Sequence, residues 1–205
     1  MPNRRIFVSL TIALLFTAAA QLGLPARAQS VDGRASAFVK NIGDKLVAVV
    51  NSNESDQNKR AKLTQIIDGA VDVDGVARFC LGRYWREASG EQQQRYTQLF
   101  HQVLVTNITA KLGEYRGVSF TMGRTQRRGD EAVVSTVVNR PNNPPTNVDW
   151  VISNPASNPK IIDVVAEGTS LRLTQREDYA SYLSHNNNSI DALINAMRQQ
   201  VARAG

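Results

Sequence analysis

A single cysteine, Cys80, is all the chain carries, so no intrachain disulfide can form. Flanked by Phe79 and Leu81, it reads as a buried packing residue rather than a reactive thiol. A chain of 205 residues without disulfides must rest on an ordinary apolar core. Histidine is nearly as scarce. His101 and His185 are the two present, and neither lies in a metal-ligand pattern such as H-E-x-x-H. Either could in principle pair with Cys80, but nothing around Cys80 carries a signature of thiol catalysis. Ser170 sits in Glu167-Gly168-Thr169-Ser170-Leu171, which is not the G-x-S-x-G nucleophile elbow. Gly123, Gly129 and Gly168 are turn glycines and build no phosphate-cradling loop. No catalytic residue, no metal and no cofactor is therefore expected. A long basic run is missing too, and charges of both signs alternate, so no nucleic-acid partner is expected. A mild attraction to anionic lipid surfaces stays open.

What the chain does have begins at its N-terminus. Arg4 and Arg5 precede an apolar stretch, Ile6 to Leu24, and Ala26-Arg27-Ala28 has the small-x-small form a signal peptidase cuts. Gln21, Gly23 and Pro25 interrupt the apolar run before it reaches the roughly 20 residues a membrane span needs. Residues 1–28 read as a cleavable signal peptide and 29–205 as the working domain. Arg4-Arg5-Ile6-Phe7 also has the form of a twin-arginine core, so the export route stays open. Loss of Arg4, Arg5 and Arg27 leaves 21 Lys+Arg against 18 Asp+Glu, a net charge of only +3.

The N-terminal half has helical period. Phe38, Ile42, Leu46 and Val49 form one stripe; after a polar break, Asn51 to Asn58, Leu63, Ile66, Ile67 and Ala70 form another. A short helix, Val73 to Leu81, ends at Gly82. Ser89-Gly90-Glu91-Gln92 is a capping box that opens a long helix. Tyr96, Leu99, Phe100, Val103, Leu104, Ile108 and Leu112 hold one face of it for about five turns. From residue 117 the period falls to two. Val118, Phe120 and Met122 mark a strand, Glu131 to Asn139 a second, Val148, Trp150 and Ile152 a third, and Ile161 to Ala166 a fourth. Arg140 to Pro145, with three prolines, is a loop. Helices return at Gln175 to Leu183 and from Ser189 onward. The fold class is α+β: a twisted antiparallel sheet of about four strands packed against N-terminal, central and C-terminal helices. The apolar faces of sheet and helices either fill one another or diverge to leave a cavity for an apolar ligand.

Two stretches resemble a known family. Leu81-Gly82-Arg83-Tyr84-Trp85-Arg86-Glu87-Ala88-Ser89, continuing through Gln92 to Phe100 and Tyr115, is similar to the L-G-x-Y-(aromatic)-(basic)-x-A-(Ser/Thr) segment of the MlaC, or toluene-tolerance, family. Asp163-Val164-Val165-Ala166-Glu167-Gly168-Thr169-Ser170-Leu171, leading to Thr174-Gln175-Arg176 and Ile190-Asp191-Ala192-Leu193-Ile194, resembles that family's last strand and final helices. The resemblance implies a periplasmic carrier that moves phospholipid between an inner-membrane ABC transport (MCE-type) complex and an outer-membrane lipoprotein complex. Its acyl chains would lie as cargo in a cavity between sheet and helices. Hopanoid-associated relatives imply a polycyclic lipid as the alternative. Ile108 stands where relatives often carry Tyr, Ile162 where an aromatic often precedes the Asp, and Thr169 where Val is usual. The first two bear on the shape of the cavity and so on the lipid it takes.

Combining pattern and resemblance, Leu99, Phe100, Val103, Leu104, Ile108 and Leu112 are candidates for the helical wall. Val118, Phe120, Val133, Val137, Trp150, Ile152 and Val164 are candidates for the sheet wall, with the inward strand face left open. Each reads equally as plain core. Glu167 and Ser170 are expected to organise the strand-to-helix turn. Arg83, Arg86 and Arg176 read either as solvated charge or as attractors of a phosphate or a partner. A periplasmic enzyme using His101 or Cys80 and a structural envelope adaptor are the competing functions.

Overall fold

The computed structural model describes residues 30–203. The expected signal peptide, 1–28, lies outside the described residues.

Side-chain caps start the helices where the sequence supplies hydroxyl or carboxylate groups. Ser30 accepts from the Gly33 amide to open α1, Val31–Asn51, and Ser55 does the same for α2, Asp56–Ala70. Asp72 caps α3, Val73–Leu81, which stops at Gly82 with φ +60°. A single turn, α4 (Tyr84–Glu87), follows. The capping box of Ser89 and Gln92 is formed in both directions at the head of α5, Gly90–Ala110. A 3-10 turn, Leu112–Tyr115, leads toward the sheet. There Asn51, the last residue of α1, accepts from the Gly117 amide at 2.7 Å and donates to the Val118 carbonyl at 3.0 Å, which clips helix to strand.

The sheet is an open antiparallel meander in sequence order: β1 Ser119–Arg128, β2 Glu131–Asn139, β3 Thr146–Ser153, β4 Lys160–Ala166 and the two-residue β5 Thr169–Ser170. It has five strands where about four were expected. The added one exists because Glu167 and Gly168, with φ +48° and +81°, make a two-residue turn that folds Thr169 and Ser170 back on Ala166 and Val165. β1 also runs past the alternating segment to Arg128. Its pairing with β2 slips between Met122 and Thr125 and continues along a polar arm of exposed Arg124, Gln126, Arg127 and Arg128. Helix α6, Leu171–His185, begins directly at its cap Ser170, and α7, Ile190–Arg203, closes the chain.

Two apolar cores result. The first is made of helices alone. Ala77, Cys80, Leu81, Tyr84, Tyr96, Phe100, Val103, Tyr179, Leu183, Leu193, Ile194 and Met197 interlock from α3 to α7. The Tyr96, Phe100 and Tyr179 rings meet at centroid distances of 6.0 to 6.4 Å, and the Tyr96 hydroxyl donates to the Ala77 carbonyl at 2.9 Å. The second core joins the sheet to α1 and the end of α2 through Ala35, Val39, Ile42, Ala70, Ala132, Val134, Ile152 and Ile161.

Cys80 belongs to the first core, 1 % exposed, with its thiol 3.5 Å from the Arg172 carbonyl. Burial pushes the thiol up to about 12, against a smaller opposing pull from the Arg172 guanidinium. A raised thiol value means the neutral form is the one the fold accepts. Its contribution to stability is therefore whole below the unfolded thiol's range and is lost as pH climbs from there toward 12. Folded protein at pH 8 is expected to resist Ellman's reagent and to react with one equivalent in denaturant. Prompt stoichiometric labelling of the native protein would show that the thiol is open to solvent.

Candidate functional site

Residues opposite one another in the antiparallel register share a sheet face. Four such rows define the face toward α1: Phe120, Val138 and Thr146; Met122, Thr136, Val148 and Ala166; Thr125, Val134, Trp150 and Val164; Arg127, Ala132, Ile152 and Ile161. Helix α1 lies against β1 and β2, and the Phe120 ring reaches its backbone at Gly43.

The packing of this layer is uneven. Small and β-branched residues such as Ala35, Val39, Ala70, Ala132 and Val134 are fully buried. The large apolar side chains beside them, Phe38 and Leu46 of α1, Ile66 of α2, and Met122 and Trp150 of the sheet, are only half-buried although they pack on the same cluster. Sheet, α1 and α2 therefore meet with carbon left partly open between them, a wedge outlined by these five side chains. The polar atoms along it are satisfied within the sheet. Trp150 donates its indole N–H to the Thr136 hydroxyl at 2.9 Å, and that hydroxyl donates to the Val148 carbonyl at 3.2 Å.

Of the residues named from sequence, Phe120, Trp150, Ile152 and Val164 come together on the α1-facing side. Val118 is buried just before β1. Val133 and Val137 lie on the opposite face, where their row partners are Gln126 and Val151, and Thr121 and Asn147. Leu99, Phe100 and Val103 pack into the helix-only core. Leu104 and Leu112 are half-buried and Ile108 is 39 % exposed; α5 contacts α2, and the 3-10 turn contacts α1. Phe38, Leu46 and Ile66, which border the same wedge, are not among the residues named from sequence, although their helical stripes are visible there.

The groups an enzyme would need are scattered. His101 lies 2.7 Å from the Asp68 carboxylate at the rim of an open, mixed-charge cavity of about 550 Å3, which also holds Asp72, Asp74 and Lys160. His185 bonds the Ser181 carbonyl, and neither histidine touches Cys80. Among the described residues no group of three His, Cys, Asp or Glu side chains is placed to hold a metal ion. Glu167 accepts from the Asn147 amide and Ser170 from the Leu173 amide, so both organise the turn into α6.

Comparison with known proteins decides the family. The model of the family described as "MlaC protein" matches residues 40–199. The chain belongs to the MlaC family. It is 26% identical over 144 residues to the toluene tolerance protein ttg2D of Pseudomonas putida, covering 69% of this chain and 67% of that protein. In three dimensions the MlaC fold seen here superposes on a phospholipid-binding protein from Ralstonia solanacearum, solved in complex with a phospholipid. The TM-score is 0.71 at 22% identity, over 83% of this chain and 98% of that one.

Proposed function

We propose that this MlaC-family protein holds a phospholipid with its acyl chains in the wedge between the sheet and helices α1 and α2. It then carries the lipid through the periplasm between an inner-membrane ABC transport complex and an outer-membrane lipoprotein complex. The observation that carries this reading is the layer's uneven packing, in which Phe38, Leu46, Ile66, Met122 and Trp150 stay half-open while Ala35, Ile42, Ala132, Val134 and Ile152 of the same cluster are sealed. An ordinary core closes over its largest side chains, because they gain most from leaving water. Burial returns roughly 0.8 kcal/mol per methylene, so ten methylenes in the wedge are worth about 8 kcal/mol. That is enough to hold a molecule which water will not dissolve. The relative from Ralstonia solanacearum, which has this fold and was solved with a phospholipid, supports the same occupant. Cleavage after Ala28 completes the proposal, since a carrier tethered by its leader could not cross between membranes. The protein's action is to bind and release, with no bond made or broken.

The test is organic extraction of protein purified from the periplasm, followed by mass spectrometry. About one phospholipid per chain is expected. A polycyclic lipid in its place would reassign the cargo to hopanoids, and no lipid across several preparations would overturn the reading. Met122→Asp, on the α1-facing side, is expected to abolish occupancy with the fold retained by circular dichroism. Val137→Asp, on the opposite face, is expected to leave it unchanged. Equal occupancy in both variants would remove the wedge as the site.

A further inference from the structure

Away from the wedge, where α3, α4 and α6 meet, an open cavity of about 470 Å3 is lined by Arg78, Arg83, Arg86 and Arg176 together with Phe79 and Trp85. Three of the four guanidinium groups are held by aromatic faces, one of them Arg83 over Tyr84 at 4.8 Å from the ring centroid. Arg78 lies over Trp85 at 5.8 Å from the ring centroid and Arg176 over Phe79 at 5.1 Å, with Arg172 on Phe79 as well at 4.6 Å. Stacking fixes the plane of a guanidinium and leaves its N–H edge pointing outward. Gly82 contributes by having no side chain. A Cβ there would stand 3.2 Å from Arg176 Nε, at a φ of +60° that other residues rarely adopt.

These four arginines lack the partners that surface arginines usually find. Among the described residues none of them pairs with a carboxylate, whereas Arg172 beside them is paired with Asp163 and Arg95 with Asp191. Their only side-chain hydrogen bond to protein among those residues is the one Arg83 gives the Tyr84 hydroxyl at 2.9 Å. Tyr84 is in turn anchored by donating to Asn188, so that contact orients Arg83 without neutralising it. Gathering four like charges on one concavity is unfavourable unless something negative enters it. Forked donors converging from several sides match an anion with three or more acceptor oxygens better than a single carboxylate.

We propose that this cavity is a phosphate-recognising site, separate from the apolar wedge, that binds the phosphate of an anionic lipid headgroup or of a small soluble phosphate. It goes beyond the cargo reading and does not depend on it, since the wedge binds by carbon and this cavity by charge.

The test uses the full mature protein. Flotation with phosphatidylglycerol vesicles, against phosphatidylcholine vesicles, probes the headgroup source; calorimetric titration with inorganic phosphate probes the soluble one. Binding in at least one arm is expected, weakening as salt rises. Arg78→Gln/Arg86→Gln is expected to lower that affinity about tenfold or more. Arg124→Gln/Arg127→Gln, which removes equal charge from the exposed β1 arm, is expected to change it little. Vesicle binding alone assigns the site to a membrane headgroup, and phosphate binding in solution assigns it to a small anion. No binding in either arm overturns the proposal, as does an equal loss in the two double variants, which would reduce it to net charge. Extracted lipid content of Arg78→Gln/Arg86→Gln should match wild type, which keeps failure here distinct from failure of the carrier reading.

Discussion

Asp163→Ala is expected to cost about 3–5 kcal/mol of stability, because it removes one side of a buried charge network. Asp163 is 7 % exposed on β4. One carboxylate oxygen accepts from the Val164 amide at 2.8 Å and the Arg172 amide at 3.1 Å; the other accepts from the Ser170 hydroxyl at 2.6 Å and lies 3.5 Å from Arg172 Nε. Ser170 Oγ itself accepts from the Leu173 amide at 3.1 Å. One side chain thus joins β4, the hairpin to β5 and the first turn of α6, and alanine leaves two amides and a hydroxyl short of an acceptor and the Arg172 guanidinium without its ion-pair partner. Urea unfolding measures the loss, and a decrease below about 1 kcal/mol would mean that water replaces the carboxylate without penalty. Asp163→Asn, which keeps one acceptor oxygen and the shape, is expected to retain part of the difference. A second readout follows from position. Arg172 supplies the carbonyl over Cys80, so loosening the head of α6 is expected to raise the rate of Cys80 labelling well before global unfolding.

That junction was legible in the sequence only in part. The E-G-T-S-L segment read as a turn with backbone-satisfying side chains, which Glu167 and Ser170 are, but nothing local marked Asp163 as buried. On β2 the difficulty is of another kind. Ala132 and Val134 alternate with Val133 and Ser135, and Val137 and Val138 are adjacent, so both faces are apolar enough to point inward. Only the register with β1 and β3 separates Val133 and Val137 from the row containing Trp150. The long stripe on α5 was visible as a stripe, yet periodicity cannot name the partner of each turn. Phe100 and Val103 lie in the core shared with α3, α6 and α7, whereas Val105, Thr106 and Thr109 are buried outside that cluster on a helix that α2 also contacts. A helix enclosed from two directions has more buried positions than one stripe predicts. The helix starts were clearest, since a hydroxyl at Ser89 and an amide at Gln92 act on their own backbone and need no tertiary information.

Gly43→Val is expected to destabilise the protein by about 3 kcal/mol, the upper end of what overpacking a core costs. Glycine in a helix interior is itself a penalty of about 1 kcal/mol against alanine, so its presence in the buried face of α1 calls for a reason. The reason is Phe120. A Cβ built on Gly43 would stand 2.5 Å from Phe120 Cζ and under 3 Å from both Cε atoms, so the edge of the ring rests on the helix backbone. That approach draws α1 down onto β1 on one side of the wedge. Gly43→Ala sets the two effects against each other, and the clash is expected to outweigh the gain in helix propensity. Shortening the ring should reverse the sign, so Gly43→Ala combined with Phe120→Leu is expected to be more stable than the sum of the single changes by about 0.5–3 kcal/mol. A strictly additive cycle in urea unfolding would show that the ring swings aside freely. The same cycle reads out function. If the ring edge sets how far sheet and helix stand apart, displacing it changes the width of the wedge, and the lipids extracted from Gly43→Ala should shift in acyl-chain composition. Unchanged lipid from a variant with a shifted unfolding midpoint would assign Phe120 to the core and leave Met122 and Trp150 as the sheet wall.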